Sequence, residues 1–133
     1  MNCNNACKIC RNLVISDSVS VVTVDGTDTL VIDIPEGLYA NCRKVCLVIA
    51  QTIPSTATIL MPVAISIGGD VTTVYPVLNC DGSDIYASSI RTRVRYPLRI
   101  VTSNTSATFK SLTHIDCYPT SNLQYIPSNG VGG

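Results

Sequence analysis

Charged side chains are scarce in this chain. Of its 133 residues only 14% are charged, glutamate occurs once and lysine three times, and nine basic residues balance nine acidic ones. A net charge of zero argues against a nucleic-acid module held by bulk electrostatics, and a nearly uncharged surface is prone to associate. Long apolar runs are missing too. The longest, Val45 to Ala50, is far short of the roughly 20 residues of a membrane span. The opening M-N-C-N-N-A-C-K-I-C lacks the apolar stretch of a secretory signal. Synthesis in the cytosol is therefore expected, and the seven cysteines, an odd number, read as mostly reduced thiols.

What is abundant is Val, Ile and Thr, whose branched side chains suit a pleated strand better than a helix. The length allows one domain that buries roughly 70% of the surface of its unfolded chain. Ser18 to Asp25 alternates, Asp25-Gly26-Thr27-Asp28 is a turn signal, and Thr29 to Ile34 returns as a hairpin partner. Lys44 to Gln51 reads as a central strand buried on both faces. A strand within Ala57 to Ile67 closes on Val71 to Tyr75 through Gly68-Gly69-Asp70. Asn12 to Ile15, Ile85 to Ser89 and Ala107 to Cys117 are further short strands, and Leu38 to Arg43 is the one helical turn expected. About eight short strands with frequent turns predict an all-β fold, an antiparallel β-sandwich or jelly roll. Residues 1–10 form a cysteine-rich arm, 11–119 the sandwich and 120–133 an extended, glycine-rich C-terminal arm.

The stretch Ile90 to Thr102 holds four of the six arginines. Read as a strand, it puts Arg91, Arg93 and Arg95 on one face, with Pro97 at an edge or bulge. Like charges about 6.6 Å apart repel by roughly 0.6 kcal/mol in water and more near a low-dielectric surface. An anionic partner surface relieves that repulsion, whereas a solvated face leaves it screened. Without interleaved exposed aromatics, nucleic acid is the lesser partner. In the C-terminal arm, Leu123, Tyr125 and Ile126 are apolar enough to pair along a neighbouring subunit by strand addition.

Other constellations carry less. Cys3, Cys7 and Cys10 have the C-x3-C-x2-C spacing of a radical-enzyme iron–sulfur site, but here it opens an all-β chain rather than following the first strand of a barrel. Zinc on these three, with Cys42, Cys46 or His114 as the fourth ligand, competes with free thiols. No cofactor is expected. His114 and Cys117 sit on opposite faces of a strand and make no nucleophilic pair, and Asp81-Gly82-Ser83-Asp84 is turn chemistry without the glutamate of a calcium loop. Tyr39, Tyr75, Tyr86, Tyr96, Tyr118 and Tyr125 are dispersed, and a sugar site would need several of them on one face.

A short chain rich in Thr, Ser, Val and Ile, with a polar N-terminal arm and the ending N-L-Q-Y-I-P-S-N-G-V-G-G, resembles the small virion accessory proteins of tailed bacteriophages, among them capsid decoration (cement) and head surface proteins. The resemblance implies a non-enzymatic structural protein, made in the bacterial cytoplasm and resident in the virion. It also implies a homo-oligomer, often a trimer, seated on a capsid or other virion protein and not in a membrane. A β-sandwich that binds carbohydrate or a host receptor is the alternative.

Overall fold

Two turns that both require positive φ set the hairpins of the fold. The computed structural model describes residues 12–113. In it, β2 (Ser18–Val24) turns into β3 (Thr27–Ile34) through Asp25 and Gly26, both at positive φ (50° and 81°). A two-residue hairpin turn of this hand matches the strand twist, and Asp-Gly is a preferred pair for it. Gly68 and Gly69, at φ 65° and 84°, likewise join β5 (Val63–Ile67) to β6 (Asp70–Leu78). The Gly69 N–H donates to Asp33 Oδ1 at 2.8 Å, so the second hairpin is tied to the end of β3.

With β1 (Leu13–Ile15), β4 (Lys44–Val48), β7 (Arg95–Thr102) and β8 (Ala107–Ser111), the strands form a single curled sheet in the order β1-β4-β7-β8-β6-β5-β3-β2. The sheet is mixed rather than antiparallel as expected. Three of its seven pairings, β1 with β4, β3 with β5 and β6 with β8, are parallel. Parallel neighbours need long crossovers, and the chain supplies them by alternating between the two halves of the sheet. β1 and β2 stand at opposite ends of the strand order yet are separated by only Ser16 and Asp17. At that corner Ser16 N donates to Val48 O and Asp17 N to Asp33 O, so one continuous stretch serves β4 and then β3. Ser16 is buried; its hydroxyl donates to Gln51 Oε1 and accepts from Ala50 N, while Gln51 Nε2 donates to Ser16 O. β6 does the same on the other side, pairing with β5 up to Pro76 and with β8 from Val77.

Curling brings the inner faces together. Leu30, Ile32 and Ile34 of β3 and Ile65 of β5 share one core with Val45 and Leu47 of β4, Leu98 and Ile100 of β7 and Phe109 of β8. The alternation of these positions along each strand is the reason one face is dry. β3 is buried on both faces, because Val31 and Asp33 are also covered.

Three local expectations are corrected. Leu38 to Arg43 is an irregular segment with a turn at Asn41–Cys42, not a helical turn; Cys42 takes φ 69° and Leu38 is exposed. Ile85 to Ser89 holds no strand but an isolated bridge and a 3-10 turn at Ala87–Ser89. The last strand ends at Ser111 rather than Cys117, where the Ser111 hydroxyl accepts from Thr113 N at 3.2 Å and bends the chain away. The expected arms, 1–10 and 120–133, lie outside the described residues.

Candidate interaction surface

The arginine-rich stretch is a strand only from Arg95 onward. Arg91 and Arg93 precede it in a turn, and Arg93 adopts φ 66°. Local tethers override the alternation that sequence suggested. The Thr92 hydroxyl and the Arg93 N–H both donate to Ile49 O, at 2.9 and 2.8 Å. The Arg91 N–H donates to the Tyr96 hydroxyl at 2.7 Å. Burial of Tyr96 pushes its phenol above the usual range, with the Arg91 N–H and charge opposing, so the group stays neutral and serves as an anchor. Arg91, Arg93 and Arg95 are all exposed but do not share a strand face. Tyr96→Phe removes the anchor and is expected to cost about 1 kcal/mol in chemical denaturation while leaving the sheet intact.

Pro97 sits in an interior strand, against the edge or bulge expected for it. It lies opposite Cys46, whose N–H turns the other way to Asn12 O at 2.8 Å, so no ladder bond is due between them. On its far side Pro97 O accepts from Leu112 N at 2.9 Å, one residue past the end of β8. The missing donor thus falls where the neighbouring strand has stopped.

Register produces a charge arrangement that the linear sequence hides. Lys44 of β4 lies opposite Arg99 of β7, and Arg99 opposite Lys110 of β8. The inward positions of β7 are Tyr96, Leu98 and Ile100, so Arg95, Pro97 and Arg99 point outward. Arg95 and Arg99 therefore flank Pro97 on the outer face, beside the Lys44–Arg99–Lys110 row. Next to this row, Leu13 and Ile15 of β1 are aligned with Cys46 and Val48 and are about half exposed. Leu13, Val14, Leu38, Tyr39 and Arg43 line a shallow cavity of about 240 Å³ alongside β1.

All seven described cations, Arg43, Lys44, Arg91, Arg93, Arg95, Arg99 and Lys110, belong to β4, β7, β8 or the segments leading into them. The described acids lie outside β4, β7 and β8 themselves, with Glu36 in the segment leading into β4 and Asp81 and Asp84 in the one leading into β7. Among the described residues the strands β4, β7 and β8 thus carry cations and no acid. Directly opposed like charges destabilise a sheet, so the row is a cost that an anionic partner removes.

Leu123, Tyr125 and Ile126, and with them Cys3, Cys7, Cys10 and His114, lie outside the described residues. Cys42 is exposed and Cys46 buried, and among the described residues no group of three His, Cys, Asp or Glu comes together to hold a metal ion. Asp81 Oδ1 accepts from the Ser83 N–H and hydroxyl, at 3.0 and 2.7 Å, as an ordinary turn does. Tyr39 and Tyr75 set their rings edge-on to Phe109, and Tyr96 is buried, so these three face the core and form no exposed platform.

Comparison with protein-family models, curated proteins and solved structures finds no match to this chain.

Proposed function

We propose that the chain is a non-enzymatic structural protein that docks through the outer face of β4, β7 and β8 on an acidic protein surface. Capsid decoration or stabilisation in a bacteriophage virion is the setting, with a shell protein as partner and further copies of itself alongside. The Lys44–Arg99–Lys110 row carries the reading. Three cations on adjacent strands, with Arg95 on the same face and Leu13 and Ile15 beside them, make a surface where carboxylates gain charge-assisted contacts and apolar side chains lose water. Arg91 and Arg93 extend the positive region from the adjoining turn. The curled sheet supports a sandwich-like description, β1, β4, β7 and β8 facing β2, β3 and β5, with β6 passing between. The carbohydrate alternative wants tyrosines gathered on one exposed face, and among the described residues none are.

Arg99→Glu tests the reading. Arg99 is exposed, so the melting temperature should hold within a few degrees, while occupancy on shell particles falls at least tenfold at low salt, the regime where charge steering is strongest. Retention of the wild type, but not of the variant, on a polyaspartate resin at neutral pH is the companion measurement. Equal occupancy of variant and wild type at every salt concentration would overturn the docking face. Saturable binding to duplex DNA with a steep salt dependence would replace the protein partner with a nucleic acid.

A further inference from the structure

The geometry points to β2 as a self-pairing edge, at which a second copy of this chain adds its own β2 antiparallel about a two-fold axis through Val21. The inference rests on the proposed reading only for the expectation of self-association; its contact is separate from the cationic face.

β2 ends the strand order, and its seven residues, S-V-S-V-V-T-V, include no charge, no proline and no bulge. Charges, proline and bulges are the devices that normally protect an edge strand from pairing. The direction of its free backbone groups follows from the hairpin. A two-residue turn makes Val24 and Thr27 a hydrogen-bonded pair, and such pairs alternate, giving Val22 with Thr29 and Ser20 with Val31. Leu30, opposite Val21, confirms the phase, because its N–H turns away to Pro62 O at 2.9 Å. Val19, Val21 and Thr23 therefore aim N–H and C=O outward, and among the described residues no backbone group meets them. Val19 and Val21 face the core yet are only partly buried, whereas Leu30 and Ile32 opposite them are fully covered. Among the described residues nothing covers this edge.

A two-fold axis at Val21 satisfies all of these groups at once. Val21 lies opposite Val21, and Val19 opposite Thr23 twice, so every outward N–H finds an outward C=O. Ser20 then meets Val22 of the second copy in the closely spaced, non-hydrogen-bonded pair. Any register displaced by one residue sets outward groups against inward ones and loses the ladder. Because the contact is isologous, it uses up the edge in both copies and closes at two. This differs from the trimer that the family resemblance implies.

The test uses the full chain. Sedimentation velocity should show a monomer–dimer equilibrium, and hydrogen exchange at high concentration should protect the Val19, Val21 and Thr23 amides, which exchange freely on dilution. Ser20→Lys leaves an exposed position exposed in the monomer and should weaken the dimer about tenfold. A mixture of Ser20→Lys with Val22→Glu should recover a one-to-one heterodimer by native mass spectrometry, since positions 20 and 22 oppose each other only in this register. A trimer, an open polymer or a monomer at all concentrations would overturn the inference, as would concentration-independent exchange of the three amides. Arg99→Glu separates the two proposals. If it dimerises normally but attaches to shells like the wild type, the docking face fails and the edge stands; a protein that attaches but never dimerises reverses that outcome.

Discussion

Phe109→Ala is expected to destabilise the fold by about 3–5 kcal/mol, seen as a lowered urea midpoint with an unchanged slope. Phe109 is 1% exposed and pairs with Ile100 of β7 on one side and Val77 of β6 on the other. The rings of Tyr39 and Tyr75 meet it edge-on, with centroids 6.4 and 6.3 Å away. Truncation therefore removes a large apolar side chain and two aromatic contacts, at the place where β6 has just left β5 for β8. Surrounding strands fixed by ladders on both sides can collapse only partly into the space. Phe109→Leu should recover more than half of the loss, because it refills most of the volume. Similar midpoints for the two variants would mean that the neighbourhood relaxes freely and that Phe109 is not the packing centre.

Asp33→Ala should cost about 3 kcal/mol, the next largest effect. The Asp33 carboxylate is buried on the outer side of β3 and accepts from the Ser66 hydroxyl at 2.7 Å and from the Gly69 N–H at 2.8 Å. Ser66 is itself fully buried, so deletion of the carboxylate leaves a dry hydroxyl without its acceptor. Asp33→Asn keeps an oxygen that can accept both bonds and should lose much less. Hydrogen exchange at Gly69 separates the cases: protection should vanish in the alanine variant and persist in the asparagine one. If the alanine variant keeps the Gly69 amide protected, the hairpin is held by its turn alone.

The elements that sequence revealed are those whose determinants are local. Asp25-Gly26 and Gly68-Gly69 announce their turns because few other residues accept positive φ, and the flanking Val and Ile alternate cleanly. The strand expected over Lys44 to Gln51 is also legible as an apolar run, though it ends at Val48. What stayed hidden depends on partners distant in the chain. Arg99 meets Lys44 across 55 residues, and no window of sequence contains both. The parallel pairings are equally remote, since Leu30 lies against Val63. The arginine stretch misled in the opposite direction. Its alternation was real, but Arg93 turns left-handed because Ile49 O, 44 residues earlier, holds the Arg93 N–H. In sequence Tyr96 is one of six dispersed rings, and its role as an acceptor shows only once Arg91 is folded back over it.

The two-residue link between β1 and β2 also has a consequence for how the chain is made. The β2–β3 hairpin is complete once residue 34 has emerged, and local closure of this kind takes microseconds. β1 must wait for β4, with Leu13 meeting Cys46, and β3 must wait for β5 before its second edge is covered. During synthesis at roughly 5–20 residues per second, that leaves a hairpin with an apolar face standing open for seconds. The Asp17 N–H, bonded to Asp33 O, keeps β1 next to the end of the finished hairpin, so β4 finds its partner close by and the search is short. Lengthening this link by inserted glycines would leave the strand pairings available and slow folding, because β1 would then have to be found rather than met.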